Sequence, residues 1–176
     1  MFIFSAIIET PIGQMFACAN HEGVCLLEFT ERPNLEKQKT TLQKALKTEI
    51  VQGPNGVLQR LQKQLQAYFE GQRIKFDLPL VMTGTSFQKK VWKALLEIPF
   101  GKTITYKELT NQLGNPKAIR AVAGANGVNK LAIIIPCHRV IGSDGSLTGY
   151  AGGLWRKQWL LDHEQSHSSH QTSLEF

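Results

Sequence analysis

The stretch Ile133-Ile134-Ile135-Pro136-Cys137-His138-Arg139-Val140 constrains this chain more than any other. Three consecutive β-branched residues predict a short buried strand. Pro136 ends it, because proline has no N–H to donate to a ladder. A thiol, an imidazole and a guanidinium follow the break directly. A buried strand that stops and presents Cys-His can mount a nucleophile. The thiolate is the reactive form, and a nearby base or cation makes it available near neutral pH. The dipeptide also suits a plain core position, since free cysteine is among the most buried residue types. Adjacent side chains on an extended chain point to opposite faces. Cys137 and His138 therefore need a bend or a bridging water to communicate.

Upstream, runs rich in β-formers at 2–8, 14–19 and 24–29 are separated by Pro11-Ile12-Gly13 and by Asn20-His21-Glu22-Gly23. This pattern predicts an antiparallel meander. A polar helix is expected over 34–48. A second, over 56–70, carries Leu58, Leu61, Leu65 and Tyr68 on one apolar face. Cys18, His21 and Cys25 lie close together, but their spacing fits no zinc pattern and a fourth ligand is lacking, so no metal site is expected. Residues 1–84 thus read as a small α/β domain with a structural role.

From residue 85 the pattern turns helical. Thr85 with Gln88 is a capping box, and Phe87, Val91, Ala94, Leu95 and Ile98 form the inner face of the helix it opens. Pro99-Phe100-Gly101 ends that helix. Thr105 with Glu108 caps a short second helix through Leu113. After Gly114, Asn115 is placed to cap a third, with Pro116 at its first position, running from about Lys117 to Asn126. Two short helices around a glycine-containing turn form a helix-turn-helix pattern. The second of them, Ala118-Ile119-Arg120-Ala121-Val122-Ala123-Gly124-Ala125, is poor in large side chains. Such a helix either packs tightly on a neighbour or presses into a nucleic-acid groove, with Arg120 as its one long side chain. Thr148-Gly149-Tyr150-Ala151-Gly152-Gly153 is a glycine-rich loop without the spacing of a phosphate or dinucleotide loop. Trp155–His163 reads as a last helix ending near Glu164, and 165–176 as a flexible tail.

Charge separates the two parts. Residues 1–84 hold 9 Lys/Arg against 8 Asp/Glu, whereas 85–164 hold 11 against 5, in a chain of net charge +6. A basic half beside a near-neutral half points to a polyanion partner. No run approaches the roughly 18 apolar residues of a membrane span. Met1–Glu9 lacks the pattern of a secretory signal. Three cysteines are an odd number and too few for a disulfide framework, so a reducing, cytoplasmic setting is expected.

Ile-Pro-Cys-His-Arg-Val at 135–140 resembles the active-site motif of the O6-alkylguanine-DNA alkyltransferases. Gly114-Asn115-Pro116-Lys117-Ala118 with Arg120-Ala121-Val122 resembles the helix-turn-helix of that family. Tyr150-Ala151-Gly152-Gly153 and Leu160-Leu161-Asp162-His163-Glu164 resemble its closing loop and last helix. The match runs over roughly 85–164. Residues 1–84 match only in length and in Thr-Pro-Ile-Gly. The fold implied is α+β: a small N-terminal domain with an antiparallel sheet and helices, then a mostly helical DNA-binding and active-site domain.

The resemblance implies irreversible transfer of the alkyl group from O6-alkylguanine, and from O4-alkylthymine, to Cys137 in a single turnover. It assigns His138 as base, Glu164 as its orienter and Asn129 as the brace of the active-site turn. It makes Arg120 the finger that replaces a flipped base. Ala121, Gly124 and Ala125 become the face seated in the minor groove. Tyr106, Val140, Tyr150, Ala151 and Gly152 become contacts to the base. It implies a monomer acting on double-stranded DNA, with no cofactor, metal or membrane. Two departures stand out: Lys130 follows Asn129 where relatives carry proline, and Ala151 replaces a serine found in some. The rival readings are a non-catalytic helix-turn-helix lesion sensor or regulator, and a Cys-His hydrolase.

Overall fold

The computed structural model describes residues 1–73 and 75–171, which fall into two compact units, Met1–Thr83 and Gly84 onward. In the first unit β1 (Ile3–Ile8), β2 (Met15–Ala19) and β3 (Val24–Phe29) form the expected meander. Ala6 lies opposite Ala17 and Ala17 opposite Leu27. Helix α1 (Leu35–Leu46) then returns the chain to β4 (Ile50–Gln52), which pairs parallel with β1 in the order β3-β2-β1-β4. The sheet is therefore mixed rather than purely antiparallel. Three residues are too few for alternation to announce a strand, and β4 exists because the helical crossover delivers it to an open edge. In α2 (Gly56–Phe69) the Asn55 side chain accepts from the N–H groups of Val57 and Leu58, and Leu58, Leu61, Leu65 and Tyr68 are all buried.

Cys18 and Cys25 join Ile3, Leu26, Leu35 and Leu42 in one apolar cluster. Burial pushes the Cys25 thiol up to about 12 and raises Cys18 further, which leaves both as inert core residues.

The second unit begins with α3 (Ser86–Leu96), opened by the Thr85–Gln88 capping box. The strand β5 (Ile104–Thr105) leads into α4 (Tyr106–Gln112) through the Thr105–Glu108 capping box. Pro116–Ala118 is a 3₁₀ turn, and α5 runs from Ile119 to Gly127. Asn115 makes no side-chain cap, because the tight 3₁₀ turn, and not α5, begins after it. Trp92 of α3 donates its indole N–H to the Ala125 carbonyl at 2.8 Å and so ties α5 to α3. The strand β6 (Val140–Ile141) pairs parallel with β5, and α6 spans Leu154–Gln171.

Two further expectations fail here. Residues 133–135 are not a strand but part of a buried turn, with Ile133 at φ +71°. That region is rare for a β-branched residue and is held by its surroundings. Ile135 N–H donates to the Leu131 carbonyl at 2.9 Å. The Asn129 amide replaces a ladder partner, donating to the Ile135 carbonyl at 2.9 Å and accepting from Leu131 N–H at 3.0 Å. Local side-chain hydrogen bonding has overridden β-propensity.

The second failure is the tail, since α6 continues seven residues past Glu164, through Gln171. Its polar residues bond back along the helix: Ser166 Oγ donates to the His163 carbonyl and Ser168 Oγ to that of Gln165, both at 2.9 Å. The remainder of the expected tail, 172–176, lies outside the described residues.

Candidate active site

Cys137, His138 and Arg139 form a 3₁₀ turn, and this turn supplies the bend that an extended chain would lack. The Asn129 amide that holds the preceding turn also donates to Cys137 Sγ at 3.3 Å. One side chain thus fixes both the backbone and the sulfur. His138 is fully buried, and its Nε2 lies 2.7 Å from Glu164 Oε1. Glu164 further accepts from Arg139 Nε at 2.8 Å, from the second Arg139 nitrogen at 2.9 Å and from Gly101 N–H at 3.2 Å. Arg139 also donates to the Ile98 carbonyl at 2.6 Å, at the end of α3. The Cys-His-Arg turn, the end of α3 and α6 therefore meet on one carboxylate. Gly101 is required for this meeting. Its φ is +74°, and a Cβ there would lie 2.7 Å from Ser168 Cβ.

Burial works against the Glu164 charge, but the His138 ring and the Arg139 guanidinium outweigh it and hold the carboxyl well below the usual range. Burial pushes His138 down, with Glu164 opposing. The ring is thus neutral near pH 7, and the carboxylate selects the tautomer with the proton on Nε2. Nδ1 then carries the lone pair. It is buried and has no hydrogen-bond partner among the described residues. A buried open acceptor on the residue that follows Cys137 is an atom available to take a proton.

Two further groups share this region. Lys157 is fully buried and donates to the Val140 carbonyl at 2.6 Å and to that of Thr148 at 2.9 Å. Burial lowers its pKa, and a negative sulfur at Cys137 opposes that shift. By reciprocity the ammonium favours the thiolate. Tyr106 is raised by burial and then by the Cys137 charge. Its hydroxyl donates to the Thr148 carbonyl at 3.3 Å and accepts from the Asn126 amide at 3.5 Å.

The structure thus brings Cys137, His138, Glu164 and Asn129 together, with Tyr106 coupled to them. Val140 is buried, and its carbonyl is occupied by Lys157. Tyr150 is half-buried and Ala151 exposed, while Gly152 is buried with its carbonyl accepting from Arg156 at 3.0 Å. On α5, Arg120, Ala121 and Gly124 are exposed, and a Cβ at Gly124 would meet nothing within 4 Å. That position is small without any packing neighbour to require it. Ala125, expected on the same face, is instead buried at 3% exposure beneath Trp92. One residue along a helix turns the side chain about 100°, from the outer face to the inner.

Sequence reasoning assigned no role to Arg139, Lys157 or Asn126. The available signal for Lys157 was its place on the same helical face as Leu160 and Glu164, where a lysine interrupts an apolar stripe.

Comparison with known proteins agrees in both units. Residues 3–82 match the family model described as "6-O-methylguanine DNA methyltransferase, ribonuclease-like domain", and residues 86–166 match the DNA binding domain of the same name. The methylated-DNA–protein-cysteine methyltransferase of Methanosarcina barkeri is 47% identical over 91% of this chain and 96% of its own length. That of Methanosarcina mazei is 54% identical over the same shares. The crystal structure of Mycobacterium tuberculosis OGT in complex with DNA superposes with a TM-score of 0.79 at 42% identity, covering 95% of this chain and 94% of that one. Motif, fold and near full-length identity agree, and the chain belongs to the methylated-DNA–protein-cysteine methyltransferase family.

Proposed function

We propose that this protein repairs DNA by moving the alkyl group of O6-alkylguanine onto its own Cys137. The observation that carries the reading is the buried Cys137–His138–Glu164 arrangement, with Asn129 on the sulfur and an open Nδ1 on His138. Glu164 holds the Nε2–H, so Nδ1 takes the thiol proton through one bridging water. Lys157 and the Asn129 amide stabilise the thiolate. Sulfur then attacks the alkyl carbon. The S–C bond forms, the C–O6 bond breaks, and the electron pair leaves on the guanine. The purine takes up the proton released by the thiol and is restored. Tyr106, whose hydroxyl lies at the Thr148–Gly149 loop, offers hydrogen bonding to the departing base. The product is a thioether with no good leaving group, so each molecule acts once.

The reacting carbon is out of reach inside a duplex, and the base must leave the stack. Arg120 fills the vacated space, and the exposed small face at Ala121 and Gly124 seats α5 in the minor groove. Ala151, Gly152 and Tyr150 line the flipped base. The backbone of Val140 remains a contact through its second carbonyl lone pair. In this reading residues 85–164 bind DNA and react as a monomer, and residues 1–84 have a structural role.

The test is intact mass after incubation with an oligonucleotide containing O6-methylguanine. A single added methyl, stoichiometric and mapped to Cys137, is expected. Cys137→Ala should bind the same DNA without gaining mass. Binding by the intact protein with no added mass would leave a lesion sensor in place of a transferase.

A further inference from the structure

The C-terminal turns of α6 carry a pair of imidazoles that the proposed reaction does not use. His163-Glu164-Gln165-Ser166-His167 sets two histidines four residues apart on one helical face. This is the spacing with which helices of zinc peptidases chelate their metal. Glu164 is committed to His138 and Arg139 in the interior, so no hydrolytic chemistry follows. The two rings lie side by side on that face. The His163 ring stacks on Trp159, with centroids 4.9 Å apart and planes 14° apart. The His167 ring lies 4.4 Å from that of His163, tilted by 47°. A metal–nitrogen bond of about 2.0–2.1 Å, plus roughly 1.1 Å from nitrogen to ring centre, sets two imidazole centroids about 4.5 Å apart at the 90° angle of a square-planar or tetragonal nickel site and about 5.1 Å apart at the tetrahedral angle of zinc. The observed separation of 4.4 Å matches the first of these.

Orientation is provided as well. His167 Nδ1 lies 2.7 Å from the His163 carbonyl, so it donates its proton there and leaves Nε2 as the ligand nitrogen. Ligating histidines are commonly held in this way, with the other ring N–H on a backbone carbonyl. We propose that His163 and His167 bind a divalent transition-metal ion of the zinc and nickel class. Imidazole suits these ions, and water completes the coordination. Among the described residues no group of three or more His, Cys, Asp or Glu is placed to hold a metal, so this is a two-imidazole chelate and not a closed structural site. Its occupancy would clamp the turn of α6 that carries Glu164 and stabilise the folded state by mass action. The inference does not depend on the proposed reaction.

Trp159, stacked on His163, is a built-in reporter. Nickel chloride is titrated into the full chain under reducing conditions in a non-chelating buffer, followed by tryptophan fluorescence and by calorimetry. A saturable one-to-one quench is expected, with a matching heat. Loss of a group that merely orients a ligand costs about 10–100-fold in metal affinity. His167→Ala removes a ligand itself and should weaken binding at least tenfold, while its far-UV circular dichroism stays that of the parent. Trp159→Phe should keep the calorimetric affinity and lose most of the quench. No binding by the parent would overturn the proposal. So would equal binding by His167→Ala, which would place the metal on a thiol elsewhere.

Discussion

Glu164→Gln is the sharpest perturbation of the site. The change preserves volume, removes one charge and turns an N–H donor towards groups that themselves donate. Glu164 accepts four hydrogen bonds, from His138, twice from Arg139 and from Gly101. Arg139 is 7% exposed, so it would remain in the interior as a cation without its counter-charge. Breaking a buried pair in this way costs about 3–5 kcal/mol. For a chain of this size each kcal/mol lowers Tm by about 2–4 °C, so a fall of about 6–20 °C is expected.

Chemistry suffers separately. An amide N–H aimed at Nε2 drives the ring proton to Nδ1, the atom that accepts the thiol proton in the proposed reaction. The comparable tautomer error in a Ser-His-Asp triad costs about ten-thousand-fold. Transfer by Glu164→Gln should therefore slow by about a hundred- to ten-thousand-fold.

Acid dependence has a defined sign. The His138 pKa is depressed in the folded state, so its contribution is complete above about pH 6.5 and erodes as the pH falls below that value. The Glu164 pKa is also depressed. Its contribution is present above the ordinary carboxylate range, near pH 4.3, and is lost as the pH falls towards the lower folded value. The variant should lack this second loss. The assays are single-turnover methyl transfer in rapid quench and thermal melting across pH 3–8. A variant within about threefold of the parent rate, with an unmoved Tm, would refute the assignment of the carboxylate.

Three other substitutions separate fold from function. Arg120→Ala should slow repair in duplex DNA far more than reaction with a free O6-alkylated base, measured as paired rate constants; equal losses would remove the finger role. Gly124→Ala meets no neighbour within 4 Å, so stability should hold or rise by about 0.5–1 kcal/mol while DNA affinity falls in a binding titration. Unchanged affinity would take α5 out of the groove. Gly23→Ala would put a Cβ 2.3 Å from the Pro79 carbonyl oxygen, which accepts from Val24 N–H at 2.9 Å. It should cost about 1–3 kcal/mol in thermal unfolding and leave the transfer rate per folded molecule unchanged.

Much of this protein is legible in local patterns. The three meander strands, the 3–4 spacing of α2 and both capping boxes are contained in stretches of a few residues. Side-chain period and terminal hydrogen bonding are properties of the nearest chain neighbours. The Pro-Cys-His-Arg stretch offers a candidate nucleophile, but by itself it suits a plain core position equally.

Tertiary structure decided the rest. Ile133–Ile135 has every local mark of a strand, yet an amide four to six residues upstream holds it as a turn. β4 is too short to show itself and exists only because β1 has a free edge. Ala125 and Gly124 are equally small in the sequence, and only the seating of α5 against Trp92 buries one and exposes the other. Glu164, twenty-six residues from His138, becomes its partner because α6 packs back on the Cys-His-Arg turn, and Arg139 and Lys157 gain their roles by the same closure. Local sequence sets backbone preference and the side chains on offer. Burial, charge pairing and the tautomer of a histidine depend on what the fold places beside them, and that information is carried by the whole chain.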